Sequence, residues 1–112
     1  MILPAVVRET LDLYVKHGWM LRRVLLSAAT RNALGDEAGS LFGDVAVIDS
    51  PIDAAWFSRP PAAGPIAWEI RYLGSTPYAL VEHFDERDPE FENSLNNVVD
   101  RLRTAVTSKE PA

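Results

Sequence analysis

The sequence predicts an α+β domain: an antiparallel sheet of about four strands, with an N-terminal helix, a short middle helix and a long C-terminal helix packed on one face. Three observations carry this expectation. Residues 66–84 hold two runs rich in aromatic and β-branched side chains on either side of Gly74-Ser75-Thr76-Pro77, which is a hairpin pattern. Residues 91–106 carry one unbroken apolar stripe at helical spacing. The 112 residues are 47% hydrophobic and 24% charged, the balance of one domain that buries its core without staples. Residues 1–108 are expected to form this domain, and 109–112 a frayed tail.

Residues 4–17 read as the first helix. Pro4 suits a first turn, where its missing N–H is not needed. Val7, Leu11, Tyr14 and Val15 form an apolar stripe. Lys16 and His17 suit the negative end of the helix dipole, and Gly18 suits a left-handed stop. Residues 19–26 are apolar on both faces apart from Arg22 and Arg23, and are expected to be a strand, with a helix as the alternative. Residues 27–34 fit a short helix ended by Gly35. Residues 36–43 read as irregular connection, and the whole connection over 27–44, ~18 residues, is long for a compact domain. Val45 to Ile48 is a short apolar run, expected as a buried strand.

Ser50-Pro51-Ile52-Asp53 matches a helix start, with a capping serine, proline at the first position and an acid three residues on. A short helix over 51–57 is therefore expected. The competing pattern is a strand in which Ala54, Trp56 and Ser58 alternate with Ala55, Phe57 and Arg59. Residues 60–65 form a stiff proline-rich turn into the hairpin. Asp88, Pro89 and the acids Glu90 and Glu92 mark the start of the last helix, whose stripe is Phe91, Leu95, Val98, Val99, Leu102 and Val106.

In the first hairpin strand Ile66, Trp68, Ile70 and Tyr72 alternate with Ala67, Glu69, Arg71 and Leu73, and the first set is expected to meet the core. The partner strand has two possible registers. An even loop of residues 74–77 sets Ala79, Val81 and His83 beside Trp68; an odd loop sets Tyr78, Leu80, Glu82 and Phe84 there. Pro77 cannot donate to a ladder, which favours the even loop. Glu69, Arg71 and Glu82 then share the opposite face with Tyr78 and Leu80.

Charge narrows the function. A net charge of −5 argues against nucleic acid and against an anionic membrane surface, and Arg22-Arg23 is too small a basic pair to reverse that. No run reaches the ~20 apolar residues of a membrane span. The opening Met1-Ile2-Leu3-Pro4 lacks a basic and long apolar leader pattern. There is no cysteine, which excludes disulfides and thiolate sites and makes a reducing cytoplasm the expected compartment. Two distant histidines offer no metal spacing, and the run Asp85 to Glu90 lacks the regular ligands of a calcium loop. No serine sits in a nucleophile elbow, and Gly35, Gly39 and Gly43 do not make a phosphate loop. No cofactor, metal or catalytic residue is expected.

Two function classes stay open. One is a non-enzymatic interaction module, an adaptor or chaperone-like homodimer, with Tyr78 and Leu80 as apolar islands at its interface. The other is a small-molecule-binding protein or enzyme using the hairpin cluster Glu69, Arg71, Glu82 and His83. Arg59 and Trp68 (with Trp56) would add a cationic and aromatic wall.

Overall fold

The computed structural model describes residues 4–60, 66–74 and 78–109. The chain runs α1 (Pro4–Lys16), β1 (Met20–Leu26), α2 (Ala28–Leu34), α3 (Glu37–Phe42), β2 (Ala46–Asp49), β3 (Ala54–Arg59), β4 (Ile66–Tyr72), β5 (Ala79–Phe84) and α4 (Phe91–Lys109). The α+β class is as expected, and the long last helix is present. The sheet has five strands and is mixed, in the order β2-β1-β3-β4-β5. β1 and β2 are parallel; the other three pairings are antiparallel. Residues 61–65, the loop at 75–77 and the end of the tail from 110 lie outside the described residues.

The parallel pair explains the segment read as loose connection. Parallel neighbours need a crossover of a dozen or more residues. Here α2 and α3 supply it. Ser27 caps α2, its hydroxyl oxygen accepting from the Thr30 N–H at 3.2 Å. Asp53, just before the neighbouring strand β3, holds the same cap. One carboxylate oxygen accepts from the Ser27 N–H at 2.8 Å, and the other from the Thr30 hydroxyl at 2.7 Å. β2 lies at the sheet edge and is largely exposed, not buried.

The short middle helix does not form. Residues 54–59 are strand β3, and Ser50 closes a small turn before it, its hydroxyl oxygen accepting from the Ile52 N–H at 3.3 Å. β3 is central, and Ala54 to Ser58 are all buried. A strand buried on both sides needs cover on both sides. Helices therefore occupy both faces, not one. On the first face Leu25, Ala54, Trp56, Trp68 and Ile70 pack under Phe91, Leu95, Val98, Leu102 and Val106 of α4. On the second face Val24, Leu26, Ala55 and Phe57 pack under Val7 and Leu11 of α1, Leu34 of α2 and Phe42 of α3. Val15, read as part of the α1 stripe, is exposed, as are Val6 and Leu13.

The hairpin has the odd register. Trp68 stands opposite Glu82 and Ile70 opposite Leu80, and the Tyr72 N–H donates to the Tyr78 carbonyl at 2.9 Å. Five residues, 73–77, thus separate the strands. Leu73 leaves the ladder because it is buried in the second core and its N–H donates to the Asp53 carbonyl at 2.8 Å. Tyr78, Leu80 and Phe84 consequently pack against the α4 core, and Ala79, Val81 and His83 face the other way.

A β-bulge in β1 sends two consecutive arginines to the α4 side. The register against β3 shifts between Leu21 and Arg23. Arg22 lies 4.7 Å over the Trp68 ring, donates to the Ser58 hydroxyl at 3.0 Å and pairs with Glu86 at 2.9 Å. Arg23 grips Glu92 through both terminal nitrogens, at 2.9 and 2.6 Å, and that bond draws the Glu92 carboxyl below its usual value. These exposed pairs set where α4 begins more than they add stability.

The α4 stripe carries the first core, so its centre is the place to test it. Leu102 is fully buried. Leu102→Ala should lower unfolding free energy by about 2–5 kcal/mol, read as a shift in denaturant midpoint with unchanged slope. A change within the surface range of about 0.5 kcal/mol would remove α4 from the core.

Candidate functional site

The second face is only partly covered. α1 crosses β1 and β3, and its end stands beside β4. There a cleft of about 400 Å³ opens, lined by Leu13, Tyr14, His17, Trp19, Arg59, Glu69 and Arg71. That volume is at the lower end of small-molecule sites.

The aromatic corner of this cleft follows from how α1 stops. Gly18 has φ +88°, the left-handed region where a side chain is strained. The Trp19 N–H donates to the Tyr14 carbonyl at 3.0 Å and the Gly18 N–H to the Val15 carbonyl at 3.0 Å. This is the paired hydrogen bonding of a Schellman stop, which brings the residue after the glycine back against the helix. Trp19 accordingly meets Tyr14 edge-on, with ring centres 6.2 Å apart. Tyr14 in turn stacks on Phe57 at 4.0 Å and an interplanar angle of 14°. Arg59 lies over the Trp19 ring at 4.8 Å and donates to the His17 carbonyl at 3.4 Å. Its stem passes 3.6 Å from where a Cβ on residue 18 would sit.

The polar floor comes from β4. Glu69 and Arg71 are two apart on one strand and so project from the same side. The Tyr14 hydroxyl donates to Glu69 Oε2. Burial first, then the Glu69 carboxylate, push the Tyr14 phenol above its ordinary value, and Arg71, by its charge and by lying within hydrogen-bonding reach of the phenol, pulls the other way. Tyr14 therefore stays a donor at neutral pH. Arg71 makes no ion pair among the described residues, and its Nε is buried without a hydrogen-bond partner. A buried donor with no partner is uncommon and calls for an acceptor.

Of the residues singled out in the sequence, Arg59, Glu69 and Arg71 meet in this cleft. Trp68, with Trp56, lies on the other face, buried under α4, so the sheet separates the tryptophans from Arg59 and Arg71. Glu82 also lies on the α4 face and pairs with Arg101 at 2.5 Å. It does not share a face with Glu69 and Arg71. His83 is exposed on β5, on the cleft's side of the sheet but outside its lining. Tyr78 and Leu80 are half-buried against the α4 core and are not islands on an open face. Leu13, Tyr14, His17 and Trp19 are additions that only the fold reveals. For two of them, Tyr14 and Trp19, a signal could be read in the sequence: an aromatic four before Gly18 and another just after it are the two residues a Schellman stop brings together. Among the described residues no three His, Asp or Glu side chains gather as metal ligands.

The raised Tyr14 pKa has a definite sign in stability. Below the ordinary value of 10.0 the phenol is protonated in both folded and unfolded chains, so its contribution is complete there. As pH rises past 10.0 the unfolded chain loses this proton first, and stability falls until the folded-state value is passed. Denaturant midpoints at about pH 9 and about pH 11 should fall further for the parent protein than for Tyr14→Phe. Equal falls would detach Tyr14 from the Glu69 carboxylate.

Comparison with known proteins yields no match to this chain, whether to a family model, a curated protein or a solved structure.

Proposed function

We propose that this chain is a small-molecule-binding protein whose cleft between α1 and β4 takes a carboxylate-bearing ligand. The observation that carries this is Arg71: a guanidinium at the cleft floor that has no ion-pair partner among the described residues and whose Nε is buried with no hydrogen-bond partner among them. Guanidinium groups hold carboxylates through two parallel hydrogen bonds, and one of those donors is the Nε that lacks a partner here. Arg59 adds a second positive charge, and Leu13, Tyr14 and Trp19 supply apolar and aromatic wall. The cleft groups are suited to recognition: two arginines, a phenol that stays protonated and one carboxylate. With no cysteine in the chain, we place the protein in a reducing compartment, the cytoplasm.

The test is a titration with small aromatic and aliphatic carboxylates, followed by amide and indole NMR signals. Binding should move Trp19 and the β4 residues around Arg71. Arg71→Gln should weaken it about 10-fold or more, the loss of a charged hydrogen-bonding pair. Shifts confined to other surfaces, or an affinity that Arg71→Gln leaves unchanged, would sink the reading.

A second reading, the interaction module, has its own observation. Val6 and Leu13 of α1 are each 53% exposed and Val81 of β5 is 51% exposed. Val6, Thr10, Leu13 and His17 share one helix flank by their spacing, and Leu13 and His17 of that flank border the cleft. A second copy covering this flank and the open side of β5 would make a homodimer. Sedimentation velocity should then show a dimer that Val81→Lys converts to monomer; a parent protein that stays monomeric at high concentration ends this reading.

A further inference from the structure

The cleft floor holds two opposite charges that make no direct ion pair with each other. Glu69 and Arg71 are adjacent on the same side of β4, roughly 6.6 Å apart along the strand, yet they form no ion pair. The Tyr14 hydroxyl occupies Glu69 Oε2, and both charges act on its phenol. Glu69 Oε1 accepts no hydrogen bond among the described residues, and Arg71 Nε donates none. A carboxylate acceptor and a guanidinium donor thus stand side by side at the bottom of a cleft whose upper wall is Leu13 and Trp19.

We propose that the ligand is a free α-amino acid with an apolar or aromatic side chain, its carboxylate on Arg71, its ammonium on Glu69 and its side chain against Leu13 and Trp19. This rests on the reading of the cleft as a carboxylate site. The charges select for it. A plain carboxylate satisfies Arg71 but sets its own charge beside Glu69, and like charges in a partly desolvated site repel. A plain amine satisfies Glu69 and leaves Arg71 without an acceptor. A zwitterion matches both charges at once, and each bond is charge-assisted. Phosphate brings more negative charge towards Glu69 than a carboxylate does and has no apolar body for Leu13 and Trp19. Arg59, already laid over Trp19 and bonded to the His17 carbonyl, extends the flat surface on which an aromatic side chain rests.

Four probes separate the possibilities: L-phenylalanine, phenylacetate, 2-phenylethylamine and inorganic phosphate, each titrated by calorimetry and by NMR. L-Phenylalanine should bind at least tenfold more tightly than phenylacetate or 2-phenylethylamine. Glu69→Gln, which keeps the shape and an acceptor for Tyr14, should remove that advantage over phenylacetate without weakening phenylacetate itself. A general structural loss would weaken both, and an unchanged NMR spectrum outside the cleft verifies the fold. If phenylacetate binds as well as L-phenylalanine, or Glu69→Gln leaves the ratio unchanged, the amino-acid assignment is overturned and the carboxylate site stands. If phosphate alone binds, or none of the four does, both fall.

Discussion

The burial of β3 on both faces is the constraint from which the rest of the architecture follows. Trp56 and Phe57 are neighbours in sequence, and the pleat sends them to opposite sides of the sheet. Each is almost completely buried. Removing two large aromatics from water is worth on the order of 4–6 kcal/mol apiece, as an upper bound. One side therefore needs a long helix and the other needs α1, α2 and α3. The helix-start pattern at Ser50-Pro51 is worth only about 1 kcal/mol. A helix there would have set Trp56 and Phe57 on neighbouring sides of one cylinder, and it loses to a strand that buries both.

Periodicity was most readable where one face alone is buried. The α4 stripe, the alternation around Trp68 and the stop at Gly18 all appear as the pattern implies. The central strand was harder, because a strand buried on both sides loses its alternation, and Ala54-Ala55-Trp56-Phe57 carries no period of two. The hairpin register turned on Leu73. Nothing in the local pattern shows that it leaves the ladder for Asp53 and the second core. The parallel edge β2 was equally hidden, since pairing partners are not written into a run of four residues. Of the site, the β4 charges were legible as a pair on one face. Their surroundings were not, because Tyr14 and Trp19 reach them through a helix end 50 and more residues away in the chain.

The two faces of the sheet end up with different electrostatics. On the α4 side each of Arg22, Arg23 and Arg101 is matched with a carboxylate: Glu86, Glu92 and Glu82. The bulge in β1 makes that matching possible, since an unbroken strand would have sent one of its two arginines through to the opposite face. On the α1 side Arg59 and Arg71 have no carboxylate pairing among the described residues. In a chain with an excess of acids, a spot where guanidinium groups lack acid partners stands apart from the general field of the molecule.

The strand order also bears on how the chain is made. β1 emerges during synthesis before both of its neighbours, β2 and β3. Until residue 59 has left the ribosome, the apolar Val24-Leu25-Leu26 segment has no ladder on one side or on both. The meander β3–β4–β5, by contrast, closes on itself with short connections as it appears. The nascent chain thus carries an incompletely paired apolar strand from residue 26 until residue 59 appears, and α1, already made, is the first cover available to it, before α2 and α3 follow.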